Sequence, residues 1–283
     1  MTNTFPREII LEITKRINEI YSENESNSLA SILVEKVFHL SQSQLLINDQ
    51  MEIVKEKSAY LEQAIKRLLN HEPIQHIFGE SEFFGRSFEV NKDVLIPRQE
   101  TEELICLIVD DCKLVTPKIL DIGTGSGCIS CSLALEIENA VVHAVDISDK
   151  ALVIAQRNSE TLDAKVSFSK LDILNESLPF NEFDIVVSNP PYVLDSERVL
   201  MHQNVIDYDP HLALFVSDSD PLLFYKAISD KSKQTLKSGG KLYFEINEKF
   251  GSEVSDCLNK LGYKQVKVHQ DLNGKDRFVS GTI

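Results

Sequence analysis

Short apolar segments alternate with helical patterns from residue 118 onward, and this alternation constrains the fold more than any other feature. Apolar strands separated by amphipathic helices predict a mostly parallel β-sheet with helices on both faces, an α/β fold. The last two segments follow the final helical pattern directly and are predicted to form an antiparallel hairpin at the sheet edge. The predicted strands are 118-KILDIG-123, 140-AVVHAVDIS-148, 165-KVSFSKLD-172, 183-FDIVVSN-189, 241-KLYFEIN-247, 263-YKQVKVHQD-271 and 276-DRFVSGTI-283.

The residues before this region show other patterns. Apolar residues at three- and four-residue spacing predict helices over 9–21, 29–40 and 58–70, whereas the polar stretch 22–28 is predicted to be a turn. Alternating aromatic and polar residues around Gly85 predict a short hairpin. The expected domains are a helical domain over 1–72, a linker with the hairpin (83–84 against 88–90) over 73–98, and an α/β domain over 99–283.

Composition argues against several classes of protein. No apolar run reaches the roughly 18–20 residues of a membrane-spanning helix, and the start, MTNTFPREII, lacks the features of a secretory signal. The net charge of −15 disfavours a protein whose main role is to bind phosphate backbones. Five cysteines, including the pair Cys128 and Cys131, indicate free thiols and buried packing rather than disulfides or a zinc site. We therefore expect a cytoplasmic protein without a nucleic-acid or membrane partner.

A glycine-rich loop follows the first strand of the α/β region, in 121-DIGTGSGCIS-130. Gly123, Gly125 and Gly127 allow a tight turn and let a ligand approach the backbone without interference from a Cβ atom. Their spacing differs from the G-x-G-x-x-G of dinucleotide-binding folds, and no Lys followed by Ser or Thr ends the loop as in a phosphate-binding loop. The loop therefore predicts a ligand site without clear pyrophosphate-binding features.

Two acidic residues extend this predicted site. Asp146 ends the second strand, where a carboxylate can bind both hydroxyls of a ribose, and Asp172 ends the third strand, where it is expected to meet an adenine amino group. These features describe an adenosine ligand. S-adenosylmethionine fits best, with its amino-acid end near the loop and Asp121, whereas nicotinamide and flavin cofactors are the alternatives.

The fourth predicted strand ends abruptly in 189-NPPY-192. Proline lacks a backbone N–H and has a fixed φ, and the residue before it is held extended, so this turn is stiff. We expect the side-chain oxygen of Asn189 and the carbonyl oxygen of Pro190 to accept both hydrogens of one –NH₂ group, with Tyr192 against its planar face. Holding both N–H bonds directs the nitrogen lone pair toward a methyl donor, and this positioning supplies much of the rate.

Loop and tetrapeptide together resemble the class I S-adenosylmethionine-dependent methyltransferases, and more narrowly the peptide chain release factor glutamine N5-methyltransferases. The resemblance extends over nearly the whole chain. It is carried further by EPIQHIFGESEFFGRSFEV (72–90), LIPRQETEELI (95–105), YDPHLALF (208–215) and DLNGKDRFVSG (271–281).

The resemblance implies a Rossmann-like seven-stranded methyltransferase sheet, a small all-helical N-terminal domain that helps recognise the substrate, and a β-hairpin linker. The implied substrate is the glutamine of the Gly-Gly-Gln motif in class I peptide chain release factors, and no metal is implied. The residues expected to bind S-adenosylmethionine are Asp121, Gly123, Thr124, Gly125, Ser126, Gly127, Asp146, Asp172, Ile173 and Asn189. Those expected to bind the glutamine are Arg98, Glu100, Asn189, Pro190, Pro191 and Tyr192, of which Asn189, Pro190 and Tyr192 are expected to act in catalysis.

Some positions depart from the family pattern, and rival functions stay open. Asp209 stands where Glu is common, and Asn247 where the family usually has Gly.

One rival function is a glutamine methyltransferase that acts on a ribosomal protein, because it would share every catalytic residue. A second is an adenine-N6 methyltransferase of nucleic acid, in which the same tetrapeptide would bind the base amino group. A third is a non-catalytic protein that keeps the fold.

Overall fold

The computed structural model describes residues 2–178 and 182–283. Contacts divide the chain into a helical unit, made of the residues up to Gly79 together with Gln203–Tyr208, and a sheet unit of Glu80–His202 and Asp209–Ile283. The domain boundaries expected from the sequence, at 72/73 and 98/99, stay a prediction, because contact units do not establish which parts fold independently.

The helical unit is built from amphipathic helices whose apolar faces share one core. Ile13, Ile17, Leu33 and Ile65 are among its most buried side chains. The unit is helical but not all-helical as the resemblance implied, because a two-stranded antiparallel pair, Thr2–Thr4 with Met51–Ile53, accompanies the helices. Before the sheet unit begins, the elements are β1 (Thr2–Thr4), α1 (Pro6–Ile17), α2 (Glu23–Phe38), α3 (Gln42–Ile47), β2 (Met51–Ile53), α4 (Lys55–Leu69) and α5 (Ile74–Phe78).

Residues 23–28 are helical, so the prediction of a turn over 22–28 was wrong. α2 begins at Glu23, and Ser22 caps it, because the Ser22 Oγ accepts a hydrogen bond of 3.4 Å from the Glu25 N–H. Both Glu23 and Glu25 lie in the first turn, where a carboxylate interacts favourably with the helix dipole. The polar composition that suggested a turn is therefore the composition of a capped helix start.

The sheet unit alternates strands and helices, as the sequence pattern predicts. The elements from Glu80 onward are β3 (Glu80–Phe83), β4 (Arg86–Glu89), α6 (Gln99–Asp111), β5 (Lys118–Ile122), α7 (Cys128–Glu136), β6 (Val141–Asp146), α8 (Asp149–Thr161), β7 (Val166–Lys170), β8 (Phe183–Ser188), β9 (Val193–Leu194), a 3₁₀ helix (Asp195–Leu200), α9 (Gln203–Tyr208, of the helical unit), α10 (His211–Leu214), β10 (Phe215–Val216), α11 (Leu223–Thr235), β11 (Leu236–Glu245), α12 (Gly251–Leu261), β12 (Lys264–Gln270) and β13 (Asp276–Thr282).

Seven strands of the described residues form one sheet, in the order β12-β13-β11-β8-β5-β6-β7. Strands β11, β8, β5, β6 and β7 run parallel, and β13 is antiparallel to both of its neighbours. The predicted α/β fold is confirmed. From β5 the chain continues to β6 and β7 on one side and returns to β8 on the other, so the strand order reverses between β5 and β8. In open α/β sheets the ligand cleft lies at the carboxyl ends of the strands where this reversal occurs.

Both predicted hairpins form, with details that the sequence did not indicate. β13 inserts between β11 and β12, so β12, and not β13, is the strand of this hairpin that lies at the sheet edge. In the predicted linker, β3 pairs with β4, and Phe83 lies opposite Arg86. Phe84 therefore lies in the turn with Gly85 rather than in the strand. The φ angles of these two residues are 50° and 70°, as a two-residue turn that matches the strand twist requires. Phe88 lies opposite Ser81, and Val90 lies outside β4, so the predicted pairing of 83–84 with 88–90 was wrong in register.

Two apolar clusters cover the faces of the sheet. Cys128 and Cys131 belong to the first of them, and their side chains are buried, as predicted. Burial raises the pKa of each thiol to about 12, so both stay protonated at neutral pH. Within residues 2–178 and 182–283, no helix combines the length and the apolar character that crossing a membrane requires.

Candidate active site

The sequence-predicted site residues follow the carboxyl ends of adjacent strands. Gly123 comes directly after β5, Asp146 ends β6, and Asn189 comes directly after β8. These three strands are neighbours, with β5 in the middle. The topology therefore brings the glycine loop, the expected ribose carboxylate and the NPPY segment, Asn189–Tyr192, to one edge of the sheet, at the point where the strand order reverses.

The glycine loop is held in a left-handed conformation between β5 and α7. The φ angles of Gly123, Gly125 and Gly127 are 77°, 56° and 81°. Residues other than glycine rarely adopt such angles. The Gly123 N–H donates to the Val145 carbonyl oxygen of the neighbouring strand over 2.8 Å. A Cβ atom at Gly127 would lie 3.1 Å from the Ala155 Cβ, whereas one at Gly123 or Gly125 would meet no protein atom within 4 Å. Gly127 thus serves helix packing, and the first two glycines leave space open.

Asp121 lies beneath this loop and is completely buried. Its Oδ2 accepts a hydrogen bond of 2.7 Å from Thr124 Oγ1, which also contacts Ser130 Oγ. The other oxygen, Oδ1, has no hydrogen-bond partner of normal geometry among the described residues. Burial raises the pKa of Asp121 from the ordinary 3.8 to about 7, and the nearby Asp146 carboxylate also raises it, although the hydrogen bond from Thr124 and the nearby polar groups of Ser130 oppose the rise. A buried acid with an unused oxygen suits a cationic ligand group.

The Asp146 carboxylate accepts hydrogen bonds from the backbone of the glycine loop and from the backbone that follows β6. Its Oδ2 accepts from the Gly125 N–H and its Oδ1 from the Ser148 N–H, each over 2.9 Å. Burial raises the pKa of Asp146, and these backbone N–H groups oppose the rise. Each carboxylate oxygen accepts more than one hydrogen bond, so the side chain retains capacity for ribose hydroxyls while it holds the loop.

Asp172 and Ile173 follow β7 and lie next to the end of β6, because the Leu171 N–H donates to the Asp146 carbonyl oxygen over 3.0 Å. The Asp172 carboxylate accepts hydrogen bonds from the Leu174 N–H and the Asn175 side chain, and the Asn175 hydrogen bond lowers its pKa. Asp172 thus organises a turn. Its contact with adenine stays a prediction, as does that of Ile173.

The NPPY segment presents acceptors that the chain itself leaves unused. No hydrogen bond in the described part of the chain ends on Asn189 Oδ1 or on the Pro190 carbonyl oxygen. Asn189 Nδ2 donates to Thr101 Oγ1 over 3.4 Å, and the side chain is partly exposed. Two fixed oxygens at the end of a central strand suit an –NH₂ group with two hydrogens to donate.

Two further residues, which the sequence analysis did not single out as site residues, contact this segment. The Tyr192 hydroxyl donates to Glu245 Oε1 over 2.9 Å, and Asn247 Nδ2 donates to the Tyr192 carbonyl oxygen over 3.2 Å. Burial and the Glu245 carboxylate raise the pKa of Tyr192 well above its ordinary value. Asn247, noted only as a departure from the family pattern, therefore holds the backbone of the NPPY segment.

Thr101 and Glu245 complete the surroundings of Asn189. Thr101 lies in the first turn of α6, and its Oγ1 donates to Glu245 Oε2 over 2.6 Å. Glu245 ends β11, the strand next to β8. A signal for Glu245 did exist in the sequence, because an acidic residue at the end of a predicted apolar strand lies at the edge where such sheets bind ligands. No comparable signal marked Thr101.

Arg98 and Glu100 lie at the start of α6 and are partly exposed. Arg98 Nη2 donates to Asp209 Oδ2 over 2.7 Å, and the Asp209 side chain is almost completely buried. Burial raises the pKa of Asp209 to about 6, although the Arg98 guanidinium opposes the rise. Arg98 is therefore fixed by an acid of the sheet unit, and its contact with substrate stays a prediction.

The residues at this edge fit an adenosine ligand with a cationic amino-acid end. The first two glycines leave open space, Asp146 offers oxygens suited to ribose, and Asp121 holds an unused carboxylate oxygen. No group of three or more His, Cys, Asp or Glu side chains suited to a metal ion occurs among the described residues.

Comparisons with known proteins agree with this site. Two protein-family models match, the methyltransferase small domain over residues 103–211 and the PrmC N-terminal domain over residues 8–79. A release factor glutamine methyltransferase of Flavobacterium psychrophilum is 41% identical over 272 residues, 95% of either chain. One of Bacteroides thetaiotaomicron is 41% identical over 269 residues, which are 95% of this chain and 96% of that one.

Solved structures support the fold. A methyltransferase from Pyrococcus furiosus has a TM-score of 0.52 at 19% identity and covers 78% of this chain and 98% of its own. The hMettl16 catalytic domain, solved in complex with the MAT2A 3′UTR hairpin 6, has a TM-score of 0.56 at 15% identity and covers 84% of each chain. At these identities the likeness shows the shared methyltransferase fold alone. Because the relatives from Flavobacterium psychrophilum and Bacteroides thetaiotaomicron are each 41% identical to this protein over 95% of its chain, this protein belongs to the release factor glutamine methyltransferase family.

Proposed function

We propose that this protein transfers a methyl group from S-adenosylmethionine to the side-chain amide nitrogen, N5, of the glutamine in the Gly-Gly-Gln motif of class I peptide chain release factors. The family supports the reaction and the substrate. The observation that carries the proposal is the pair of unused acceptors, Asn189 Oδ1 and the Pro190 carbonyl oxygen, on a rigid turn at the end of β8.

The methyl donor is S-adenosylmethionine, whose sulfonium supplies an electrophilic methyl group. The open part of the glycine loop, Gly123–Gly125, would hold its amino-acid end together with the Asp121 carboxylate, and Asp146 would hold its ribose. We assign the adenine end to Asp172 and Ile173, because they follow the strand next to Asp146.

The chain's own residues act mainly by binding and orienting the glutamine amide. Asn189 Oδ1 and the Pro190 carbonyl oxygen would each accept one N–H, which leaves the nitrogen lone pair as the side free to react. An amide nitrogen is a weak nucleophile because its lone pair is delocalised, so positioning supplies much of the rate. The same two dipoles stabilise the positive charge that develops on nitrogen. The bonding pair stays on sulfur, so the donor would leave as a neutral thioether, and the methylated nitrogen would release one of its N–H protons to water. Tyr192, fixed through its hydroxyl, would lie against the planar amide. Pro191 keeps the turn stiff.

We propose the release factor as the protein partner and the helical unit, with Arg98 and Glu100 at the cleft rim, as contributors to its recognition. The net charge of −15 is suited to a basic partner and disfavours direct binding of nucleic acid or an anionic membrane surface. We propose a cytoplasmic location as well, because the proposed substrate is a factor of translation.

The test is mass spectrometry of a class I release factor after incubation with the purified protein and S-adenosylmethionine. We expect one added methyl group on the Gly-Gly-Gln glutamine, and none on a release factor in which that glutamine is replaced by alanine. Methylation of a ribosomal protein alone, or equal methylation of nucleic acid, would replace the proposal with one of those substrates.

Asn189→Ala tests the mechanism. Removal of Oδ1 leaves one N–H of the substrate without its acceptor, so we expect turnover to fall by several orders of magnitude while calorimetric affinity for S-adenosylmethionine stays mostly intact. Thr235→Val is the control, because Thr235 is buried in α11 and its hydroxyl donates to the carbonyl oxygens of Lys231 and Ser232 in its own helix. An Asn189→Ala variant with wild-type turnover would contradict the mechanism.

A further inference from the structure

One buried carboxylate connects both ends of the NPPY segment. Glu245 Oε1 accepts from the Tyr192 hydroxyl over 2.9 Å, and Oε2 accepts from Thr101 Oγ1 over 2.6 Å. Thr101 Oγ1 in turn accepts from Asn189 Nδ2 over 3.4 Å. The first turn of α6, the end of β8 and the end of β11 thus form one chain of hydrogen bonds, which we call the Glu245 network: Asn189, Thr101, Glu245 and Tyr192.

The direction of each hydrogen bond in this network follows from the chemistry of its groups. The Thr101 and Tyr192 hydroxyls donate to the two different oxygens of Glu245, which is the arrangement that an ionised carboxylate, an acceptor only, requires. The single hydroxyl hydrogen of Thr101 is therefore directed to Glu245, and its oxygen can only accept from Asn189. Because a side-chain amide has donors at one end and an acceptor at the other, the orientation of Asn189 is determined as well.

This orientation matters for the proposed substrate contact. With Nδ2 toward Thr101, Oδ1 of Asn189 is left for an –NH₂ group of the substrate. The reversed amide would present N–H groups to the substrate N–H groups, and donors do not bind donors. The Glu245 network thus selects the one orientation of Asn189 that is useful for an amide substrate, and it holds the Tyr192 ring through the second carboxylate oxygen.

Burying a charged carboxylate costs folding free energy, and proteins with apolar residues in its place are often as stable. A role in the site explains why a glutamate stands here. Glu245 is 1% exposed and Thr101 is 2% exposed. Burial raises the pKa of Glu245, and the hydrogen bonds from Thr101 and Tyr192 and the positive charge of Arg277 oppose that rise. The groups that face Glu245 are Thr101 and Glu100 on α6, Tyr192, Arg277 on β13, and Tyr225 on α11, whose hydroxyl lies 3.4 Å from the Glu245 carbonyl oxygen.

We infer that Thr101 and Glu245 are positioning residues of the methyl transfer, which orient the Asn189 amide and the Tyr192 ring toward the substrate –NH₂ group. The inference rests on the proposed function, since it specifies how that site becomes an amide-binding site. Neither residue needs to contact the substrate or the methyl donor. Their effect passes through Asn189 and Tyr192.

The test compares Thr101→Val, Thr101→Ser and Glu245→Gln with the wild type, on a class I release factor. Valine keeps the shape of threonine but lacks the oxygen that orients Asn189, and glutamine brings N–H groups where the network needs an acceptor. We expect kcat to fall at least about 100-fold in both variants, as for loss of one oriented dipole at a reacting group. Calorimetric affinity for S-adenosylmethionine should stay within about threefold of the wild type. Thr101→Ser, which keeps the hydroxyl, should restore most of kcat.

The control for loss of packing is Thr235→Val, the same substitution at a buried threonine outside the Glu245 network. Thermal unfolding is measured for every variant. We expect Thr235→Val to lose stability to a degree similar to Thr101→Val and to keep the kcat of the wild type. A role in stability alone would instead make the rate loss follow the loss in unfolding temperature across all variants.

The outcomes separate the two proposals. A wild-type protein that does not methylate the release factor refutes the proposed function. A wild type that does so, with Glu245→Gln or Thr101→Val folded and turning over at the wild-type rate, refutes the positioning role alone. Failure of Thr101→Ser to recover activity, although its fold and donor affinity are normal, would also refute the role of the Thr101 hydroxyl.

Discussion

Asp121 shows how environment gives a common residue an unusual property. Its carboxyl group lies under the glycine loop with no exposed surface. Water stabilises the ionised form of an acid, so its exclusion disfavours ionisation. The pKa rises to about 7, which means that Asp121 carries a proton over part of the physiological range when no ligand is bound. A cationic ligand group near Oδ1 would favour the ionised form.

The raised pKa of Asp121 has a consequence for stability that Asp121→Asn should remove. The folded state holds its proton up to a pH of about 7, whereas the unfolded chain releases it near 3.8. Stability from this group is fully present below 3.8 and is lost as pH rises through 7. We expect the free energy of unfolding of the wild type to fall relative to Asp121→Asn over this window, by up to about 4 kcal/mol.

The measurement is denaturant unfolding of both proteins from pH 4 to pH 8 without methyl donor. Acids other than Asp146, which interacts with Asp121, titrate alike in the two proteins, so the difference between them reports on Asp121 and this one neighbour. A difference that stays constant over the whole range would contradict the raised pKa.

At the scale of elements, the glycine loop combines two roles that its sequence does not separate. Gly123 and Gly125 face open space, whereas Gly127 lies where α7 meets α8. All three have positive φ, so any substitution carries a conformational cost of roughly 1–2 kcal/mol. What differs among them is whether an added Cβ meets a ligand site or the neighbouring helix.

Gly125→Ala and Gly127→Ala test this distinction. The Gly127 Cβ would press against Ala155 at 3.1 Å, and overpacking adds roughly 1–3 kcal/mol to the conformational cost. We expect Gly127→Ala to lose more free energy of unfolding than Gly125→Ala. Gly125→Ala should lose only the conformational cost in free energy of unfolding. Calorimetry should show that its affinity for S-adenosylmethionine falls at least tenfold. Equal losses of stability, or unchanged donor affinity in Gly125→Ala, would argue against the distinction.

At the scale of the whole molecule, the chain has separate apolar cores. The helical unit has its own cluster, with Ile13 and Leu33 in it, and the sheet unit has two clusters on the faces of its sheet. All residues assigned to the methyl donor belong to the sheet unit. A ligand stabilises the part of a protein that must be folded to bind it.

Differential scanning calorimetry should therefore resolve two unfolding transitions. S-adenosylmethionine should raise the Tm of only one of them. The larger transition belongs to the sheet unit, because unfolding enthalpy scales with the number of residues. At a donor concentration of 100 times Kd, the stabilisation is about 2.7 kcal/mol, which corresponds to a rise of roughly 5–10 °C in Tm. A single transition that moves as a whole would show that the two units unfold together.

Much of this fold was predictable because its elements are encoded locally. The central strands β5 and β8 are buried apolar runs, and such a run indicates a strand before its neighbours in the sheet are known. Prediction was wrong at 22–28, where a capped helix start resembles a turn, and it placed Phe84 in a strand instead of the hairpin turn. In both places the composition suits two conformations, and the packing of the adjoining residues decides between them.

The sequence by itself determined the parts whose chemistry lies in adjacent residues, namely the glycine loop, the acid at the end of β6 and the stiff NPPY segment. Only the tertiary structure decided which distant residues complete the site. Thr101 lies 88 residues from Asn189 and 144 from Glu245 along the chain, and β11 reaches β8 only through the order of strands in the sheet. Hydrogen bonds between such residues depend on where folding places their atoms, and no local pattern contains that information.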